Sequence, residues 1–400
     1  MAVCDVLGLC QFLASSRRAR YVKVVDRSSP PSEEDADFRV LIAGGGTGGH
    51  LFPGVALAQR VLARGGSVTF AGTARGIEAR VIPDLGWSLD LLDVAGIKGG
   101  GVTGLFKGLG RLPRAFIQSL RILRRRRPTV VVGVGGYASG PLVATAALIG
   151  VPCVILEQNS VPGITNRILS RLVRRVFTTF PDTRGDFPAK KIRRLGNPIR
   201  DEFLSRLQDG DPGAPRGGAR RLFVFGGSQG AKALNEAVLG CVPELLRAVP
   251  DLEVWHQTGA RMKEAVEQGY AAAGMAPQAA RVSAFIEDMS APYRWCDLVL
   301  CRAGATSLAE LAVVGCPAVL VPFPFAADNH QEHNAKALVD AGGAHMVLER
   351  DLSPGALAEL LESLLSSPAT LDEMRVGMRR AGRPGAGAEI CAELRRLGAG

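Results

Sequence analysis

The sequence predicts an α/β protein built from two parallel-sheet domains that face each other across a cleft. Three observations carry that expectation. Apolar, strand-like runs alternate with helical patterns along the chain, as βαβ units require. The 400 residues exceed the size at which one hydrophobic core usually stops growing. A strand, glycine turn and helix also occur twice, once in each half. Phe38–Ala43 leads into Gly44–His50 (GGGTGGH), and Arg221–Phe225 leads into Gly226–Ala231 (GGSQGA). Each turn would aim backbone N–H groups and a helix N-terminus at whatever anion sits there.

In the first half the strands are expected at Phe38–Ala43, Ser67–Ala71, Leu89–Val94, Val130–Val134, Cys153–Leu156 and Val176–Thr179. In the second they are expected at Leu222–Phe225, Leu252–Gln257, Val282–Phe285, Leu298–Cys301 and Ala318–Val321. The Asn-Pro turn in Gly196–Arg200 (GNPIR) closes the first half, giving domains over 38–198 and 199–383. Asp209–Gly218 (DGDPGAPRGG) reads as a loop before the second domain's first strand. Gly382–Gly387 (GRPGAG) interrupts the chain before a short helix, Ala388–Leu397, so that 384–400 stands apart.

Residues 1–37 form an appendage, polar and Pro/Ser-rich over 15–37 and expected to be disordered. The start is a poor signal peptide, because it lacks a basic n-region, carries Asp5 and has only a short apolar run. Thr129–Leu156 is uncharged, yet its glycines, Pro141 and Pro152 punctuate it too heavily for a membrane span. It reads as a buried strand, turn, helix and strand, and no transmembrane helix is expected.

Eight cysteines show no C-x-x-C pair, which argues for small core residues of a reducing compartment and against a cysteine metal site. The D-x-D pairs Asp35/Asp37 and Asp209/Asp211 fall in the tail and the linker, away from any place where a metal–diphosphate would sit. Neither a metal nor a cofactor is expected. Gly44-x-Gly46-x-x-Gly49 matches the dinucleotide fingerprint formally, but the second strand (SVTFAGTARG) ends without the acid that holds a ribose. An NAD enzyme is disfavoured.

The net charge is +10, and Val94–Leu156 supplies nine positive charges without an acid. Within Gly104–Arg127, Leu105, Leu109, Leu112, Phe116, Leu120 and Leu123 recur at helical spacing, and Pro113 is expected to open the main helix. Part of this stripe should pack on its sheet. The rest, with Phe106 among Lys107 and Arg111, suits an anionic membrane surface. Stacking aromatics are scarce and no recognition motif is present, so nucleic acid is not the expected partner.

Four further groups sit where open α/β sheets bind ligands, beyond the C-terminal ends of strands. They are Gly135–Pro141 (GGYASGP), Glu157-Gln158-Asn159, Cys301–Glu310 (CRAGATSLAE) and Pro322–Asn334 (PFPFAADNHQEHN). His50 can be a general base near neutral pH or a capping and orienting residue. Glu310 can take both hydroxyls of a ribose or simply complement a helix terminus. Asp328, Asn329, His330 and Gln331 form either a sugar-hydroxyl cluster or a solvated loop.

In this order and spacing, GGTGGH, GGYASGP, EQN, GNPIR, GGSQGA, CRAGATSLAE and HQEHNA resemble the MurG family, the peptidoglycan N-acetylglucosaminyltransferases of bacteria. The resemblance runs from about Phe38 to the C-terminus. It implies the GT-B architecture, two Rossmann-like domains with the acceptor on the first, the nucleotide-sugar on the second and the last helix crossing back. It implies inverting transfer of GlcNAc from UDP-GlcNAc to the MurNAc C4 hydroxyl of lipid I, giving lipid II and UDP without an active-site metal.

Carried over position by position, the resemblance assigns the donor diphosphate and sugar to Thr47, Gly48, Gly49, Asn159, Arg200 and Ser228. It gives the uracil to the backbone around Ile286, and the ribose to Glu310 above the turn of Ala305, Thr306, Ser307, Leu308 and Ala309. Gln331 would hold GlcNAc hydroxyls, His50 would be the leading base, and Tyr137 would face the acceptor diphosphate. The implied setting is peripheral, on the cytoplasmic face of the plasma membrane, among cell-wall and division proteins. Two positions depart from the family pattern: Leu156 replaces a frequent His, and His330-Gln331 replaces a Gln pair. The alternatives are a GT-B enzyme with a soluble acceptor and a non-catalytic UDP-sugar-binding protein.

Overall fold

The computed structural model describes residues 37–94, 101–181, 183, 187–208 and 218–399. The N-terminal extension before Asp37, with Cys4 and Cys10, and the loop over 209–217 lie outside these residues.

Long apolar runs become strands that neighbours cover on both faces, which is why they read as continuous and not alternating. β1 (Arg39–Gly44), β2 (Ser67–Gly72), β3 (Leu89–Leu91), β4 (Val130–Gly135), β5 (Cys153–Glu157), β6 (Arg175–Thr178) and β7 (Ile192–Arg194) form one parallel sheet, in the order β3-β2-β1-β4-β5-β6-β7. β8 (Arg220–Phe225), β9 (Leu252–Gln257), β10 (Ala280–Ser283), β11 (Leu298–Cys301), β12 (Ala318–Leu320) and β13 (Ala344–Met346) form the second, in the order β10-β9-β8-β11-β12-β13. β1 pairs with both β2 and β4, and β8 with both β9 and β11. The chain therefore reverses its direction of travel across each sheet beside the strand that carries a glycine turn. Such switch points open a crevice at the strand ends.

β7 and β13 are absent from the sequence reading. Each is a three-residue edge strand, IRR and AHM, too short and too polar to stand out. β3 ends at Leu91, three residues short of expectation.

The last helix packs Ile390, Cys391 and Leu394 into one core with Phe38, Val40, Leu51 and Phe177 of the first sheet's domain. Arg395 lays its guanidinium 5.4 Å from the centre of the Phe38 ring. The six described cysteines are all buried thiols. Among the described residues no helix is long and apolar enough to cross a membrane, and no His/Cys/Asp/Glu group could hold a metal.

The basic stretch is one helix, Gly101–Arg126, and Pro113 lies inside it instead of opening it. A proline removes one backbone hydrogen bond and crowds the preceding turn, which bends a helix without having to end it. The backbone over 101–112 is helical, while the side chains of Leu105, Phe106, Lys107, Leu109 and Arg111 lie outside the described residues. Further along, the buried face is Ala115, Ser119, Ile122 and Leu123, with Phe116 and Leu120 half-buried and Ile117 exposed. The basic charge is also less free than the sequence suggests. Asp90 on β3 accepts from Arg125 and from Arg126, the latter at 2.9 and 3.0 Å. Its carboxylate raises the pKa of Arg126.

Candidate active site

The first glycine turn runs from β1 into helix α1 (Gly48–Ala63). Its Gly45 N–H donates to the Gly135 carbonyl at 3.2 Å, which ties the turn to the GGYASGP turn after β4. Thr47 stands at the N-cap with extended backbone, yet its hydroxyl does not cap the helix. Instead Thr47 Oγ1 lies 3.1 Å from His50 Nδ1. The first helical N–H groups, at Gly48 and Gly49, then have no acceptor within their own helix. The His50 ring lies over Gly135, where a Cβ would come within 2.7 Å of the imidazole. Gly135 has φ +97°, so both its conformation and the ring above it require glycine. Burial, then the facing His330, lowers the pKa of His50 and favours the neutral imidazole that a base needs.

The two glycine turns, equivalent in sequence, differ in what fills them. Glu78 opens helix α2 (Glu78–Asp84) and is 1% exposed. Its Oε2 accepts from Gly46 N at 2.7 Å, and its Oε1 accepts from Thr73 N at 2.8 Å and Thr73 Oγ1 at 2.9 Å. The sequence reading passed over Glu78. Its sequence signal is an acid shortly after Gly72 and Gly76, just past the end of β2.

The second turn borders a cavity of about 640 Å³. Gly226, Gly227, Gly230 and Ala231 form one wall, leading into helix α3 (Lys232–Ala248).

 The N-terminus of helix α4 (Ala305–Val314), with Gly304 and Ser307, faces it from the β11 side. Two helix N-termini thus converge on one cavity, an arrangement that favours a bound anion. Gln331, on helix α5 (His330–Asp340), also lines it. Gln331 Oε1 accepts from Ala303 N at 3.2 Å and Phe323 N at 3.0 Å, which leaves its NH₂ group to donate. An unforeseen ion pair between Arg302 and Glu349 also lines the cavity, with Arg302 Nη1 donating to the Val321 and Pro322 carbonyls, each at 3.1 Å. Thr306 Oγ1 is buried with no hydrogen-bond partner. Ser228 is exposed and stands outside the lining residues.

Glu310 lies one turn into α4, where Tyr293 OH donates to its Oε2 at 3.4 Å. Burial pushes its pKa up to about 7, with Arg200 and the tyrosine hydroxyl opposing. Arg200 therefore lies close enough to Glu310 to act on its charge. The Ile286 N–H donates to Gln257 Oε1 at 2.7 Å, so of the Ile286 backbone only its carbonyl is left for a ligand.

The two walls meet at Asn159. Its Oδ1 accepts from Asn334 Nδ2 at 3.2 Å, while Asn334 Oδ1 accepts from Ser160 N at 2.8 Å. Buried Glu157 holds this corner by accepting from Asn159 N at 3.0 Å and Asn166 Nδ2 at 2.8 Å. Burial still raises its pKa. Asn334 was not singled out from the sequence; its role depends on a partner 174 positions away. Tyr137 is half exposed beside the first turn. His256 is a core histidine, bridging Tyr270 OH at 2.9 Å and Asn235 Oδ1 at 3.1 Å, and burial pushes its pKa down to about 3.

Twin parallel-sheet domains, an anion-favouring cavity in one and, in the other, a histidine close enough to feel His330 beside that cavity fit a nucleotide-sugar glycosyltransferase. Residues 40–178 match the glycosyltransferase family 28 N-terminal domain, and residues 221–383 match its C-terminal domain. The chain belongs to this family, and within it to the MurG group of GT-B enzymes. It is 50% identical over 361 residues to the UDP-N-acetylglucosamine--N-acetylmuramyl-(pentapeptide) pyrophosphoryl-undecaprenol N-acetylglucosamine transferase of Anaeromyxobacter dehalogenans strain 2CP-1, covering 89% of this chain and 93% of the relative. The enzyme of the same name from Myxococcus xanthus strain DK1622 is 48% identical, with 89% of this chain and 93% of the relative covered. Among solved structures, Acinetobacter baumannii MurG is 33% identical with a TM-score of 0.74, covering 90% of this chain and 99% of that one. The kitacinnamycin glycosyltransferase, 19% identical with a TM-score of 0.66, shares the fold over 92% of this chain and all of its own.

Proposed function

We propose that this chain transfers GlcNAc from UDP-GlcNAc to the MurNAc C4 hydroxyl of lipid I, with inversion, releasing UDP and forming lipid II. The observation that carries this reading is the placement of neutral His50 opposite a cavity bounded by two helix N-termini. His50 takes the proton of the attacking hydroxyl, and the hydroxyl oxygen attacks the anomeric carbon from the face opposite UDP. The N-termini of α3 and α4, with Arg200, offset the charge that develops on the departing diphosphate.

Glu310 holds the ribose, the Ile286 backbone receives the uracil, and the Gln331 amide donates to the GlcNAc hydroxyls. Thr47, Gly48, Gly49 and Asn159 close over the donor from the acceptor side, and Ser228 holds its phosphates. Tyr137 and the turn around it face the acceptor diphosphate.

The lipid acceptor accounts for a basic helix on the first domain. Exposed Ile117 stands there among exposed Arg114, Arg121 and Arg124. That surface suits peripheral attachment to the anionic cytoplasmic face of the plasma membrane, where cell-wall and division proteins are the natural neighbours. The test is UDP release from UDP-GlcNAc with a lipid I analogue or with the same sugar on a soluble carrier. Release with the lipid-linked acceptor supports the reading. Release with the soluble acceptor alone, or none with either, contradicts it.

A further inference from the structure

The first glycine turn already contains an anion. Glu78 is buried, and its carboxylate bonds to Gly46 on one side and to Thr73 on the other, joining the β1 turn to the β2 turn. The backbone closes around it. A Cβ on Gly45 would come within 2.3 Å of Glu78, and one on Gly76 within 2.1 Å. Gly45 has φ +141°, a conformation open to glycine and strained for other residues. The second turn over Gly226–Gly230 instead borders the open cavity.

We propose that Glu78 is a positioning residue: its carboxylate fills the first turn, fixes the platform that carries Thr47 and His50, and directs the donor diphosphate to the second turn. This rests on the functional reading above and adds to it a reason why two like motifs take different ligands. A bound carboxylate uses the Gly46 N–H that a donor phosphate would otherwise recruit, and its charge repels an anion seated on that N–H, while the Gly48 and Gly49 N–H groups and the turn around Tyr137 stay open to the substrates. The same bonds hold the segment from which α1 starts. Displacing that start moves His50 off its place above Gly135, and small misplacements of a reacting group are costly in rate.

The test uses the full chain with Glu78→Gln and Glu78→Asp. Glu78→Gln keeps the size but loses the charge. Its kcat should fall by about tenfold or more, while the KM for UDP-GlcNAc stays within about twofold of the wild-type value. Calorimetry with inorganic pyrophosphate, under saturating UDP, separates position from charge. Glu78→Gln should bind the pyrophosphate about tenfold more tightly than wild type does. Glu78→Asp, which keeps the charge on a shorter stem, should lose kcat and still exclude pyrophosphate. Equal pyrophosphate binding by wild type and Glu78→Gln would overturn the proposal, as would an unchanged kcat in Glu78→Gln. The pyrophosphate arm needs no turnover. A wild-type protein without transferase activity would therefore count against the function, and the binding comparison would still decide the role of Glu78.

Discussion

Thr47 Oγ1 and His50 Nδ1 lie 3.1 Å apart, so the hydroxyl at a helix N-cap serves a histidine instead of the helix. When Nδ1 carries the proton and donates to Thr47, Nε2 keeps its lone pair for the acceptor hydroxyl. His50→Ala should lower kcat by about 100-fold or more, the range of a lost general base. UDP-GlcNAc affinity, measured by calorimetry, should stay unchanged. Thr47→Val should lower kcat less, because the imidazole remains and only its orientation is loosened. Full activity in His50→Ala would remove this residue as the base.

Burial and His330 both hold the pKa of His50 below 6.5. The neutral form is the active one, so kcat should rise with pH along an acid limb centred below 6.5. His330→Gln removes the neighbouring ring that, with burial, lowers the His50 pKa, so it should raise that pKa and move the limb to higher pH. A pH–rate profile of the two proteins checks the sign; a limb that moves to lower pH would contradict it.

Glu310, pushed up to about 7, should make donor binding depend on pH near neutrality. In the proposed ribose-binding role its ionised carboxylate is the stronger acceptor, so the KM for UDP-GlcNAc should rise as pH falls through about 7. Glu310→Gln should raise that KM by about tenfold, one charge-assisted hydrogen bond being worth about 1.5–3 kcal/mol. Its KM should then stay flat from pH 6 to about 8. Steady-state KM measured across this range tests both statements.

The sheets were legible because burial on both faces leaves an unbroken apolar run, as in Leu298–Cys301. The edge strands β7 and β13 lack that burial and left no such mark. The glycine turns were legible as local patterns, but their occupants were not. Glu78 reaches Gly46 across 32 positions, and Arg302 reaches Glu349 across 47. An isolated acid near a helix start and an isolated arginine after a strand look ordinary until the fold brings their partners. Pro113 misled for the opposite reason, since its local rule favours a helix start and the surrounding helix overrode it. Roles for Glu310 and Gln331 came from the resemblance; spacing alone left each with a bland alternative.

Arg302 is largely buried in the wall of the cavity beside the second turn, where it serves Glu349 and two backbone carbonyls at once. Arg302→Met would strand the carboxylate and both carbonyls, and should destabilise the protein by about 3–5 kcal/mol. Urea unfolding followed by fluorescence measures this. A loss below about 1 kcal/mol, typical of an exposed ion pair, would show that water replaces the guanidinium at little cost.

The most direct test of the account is acceptor-dependent UDP release, measured side by side for wild type and His50→Ala with UDP-GlcNAc and a lipid I analogue. The account predicts release by the wild type only when both substrates are present, and a rate about 100-fold or more lower in the variant. Wild-type protein that binds UDP-GlcNAc yet releases no UDP on addition of the acceptor would contradict it.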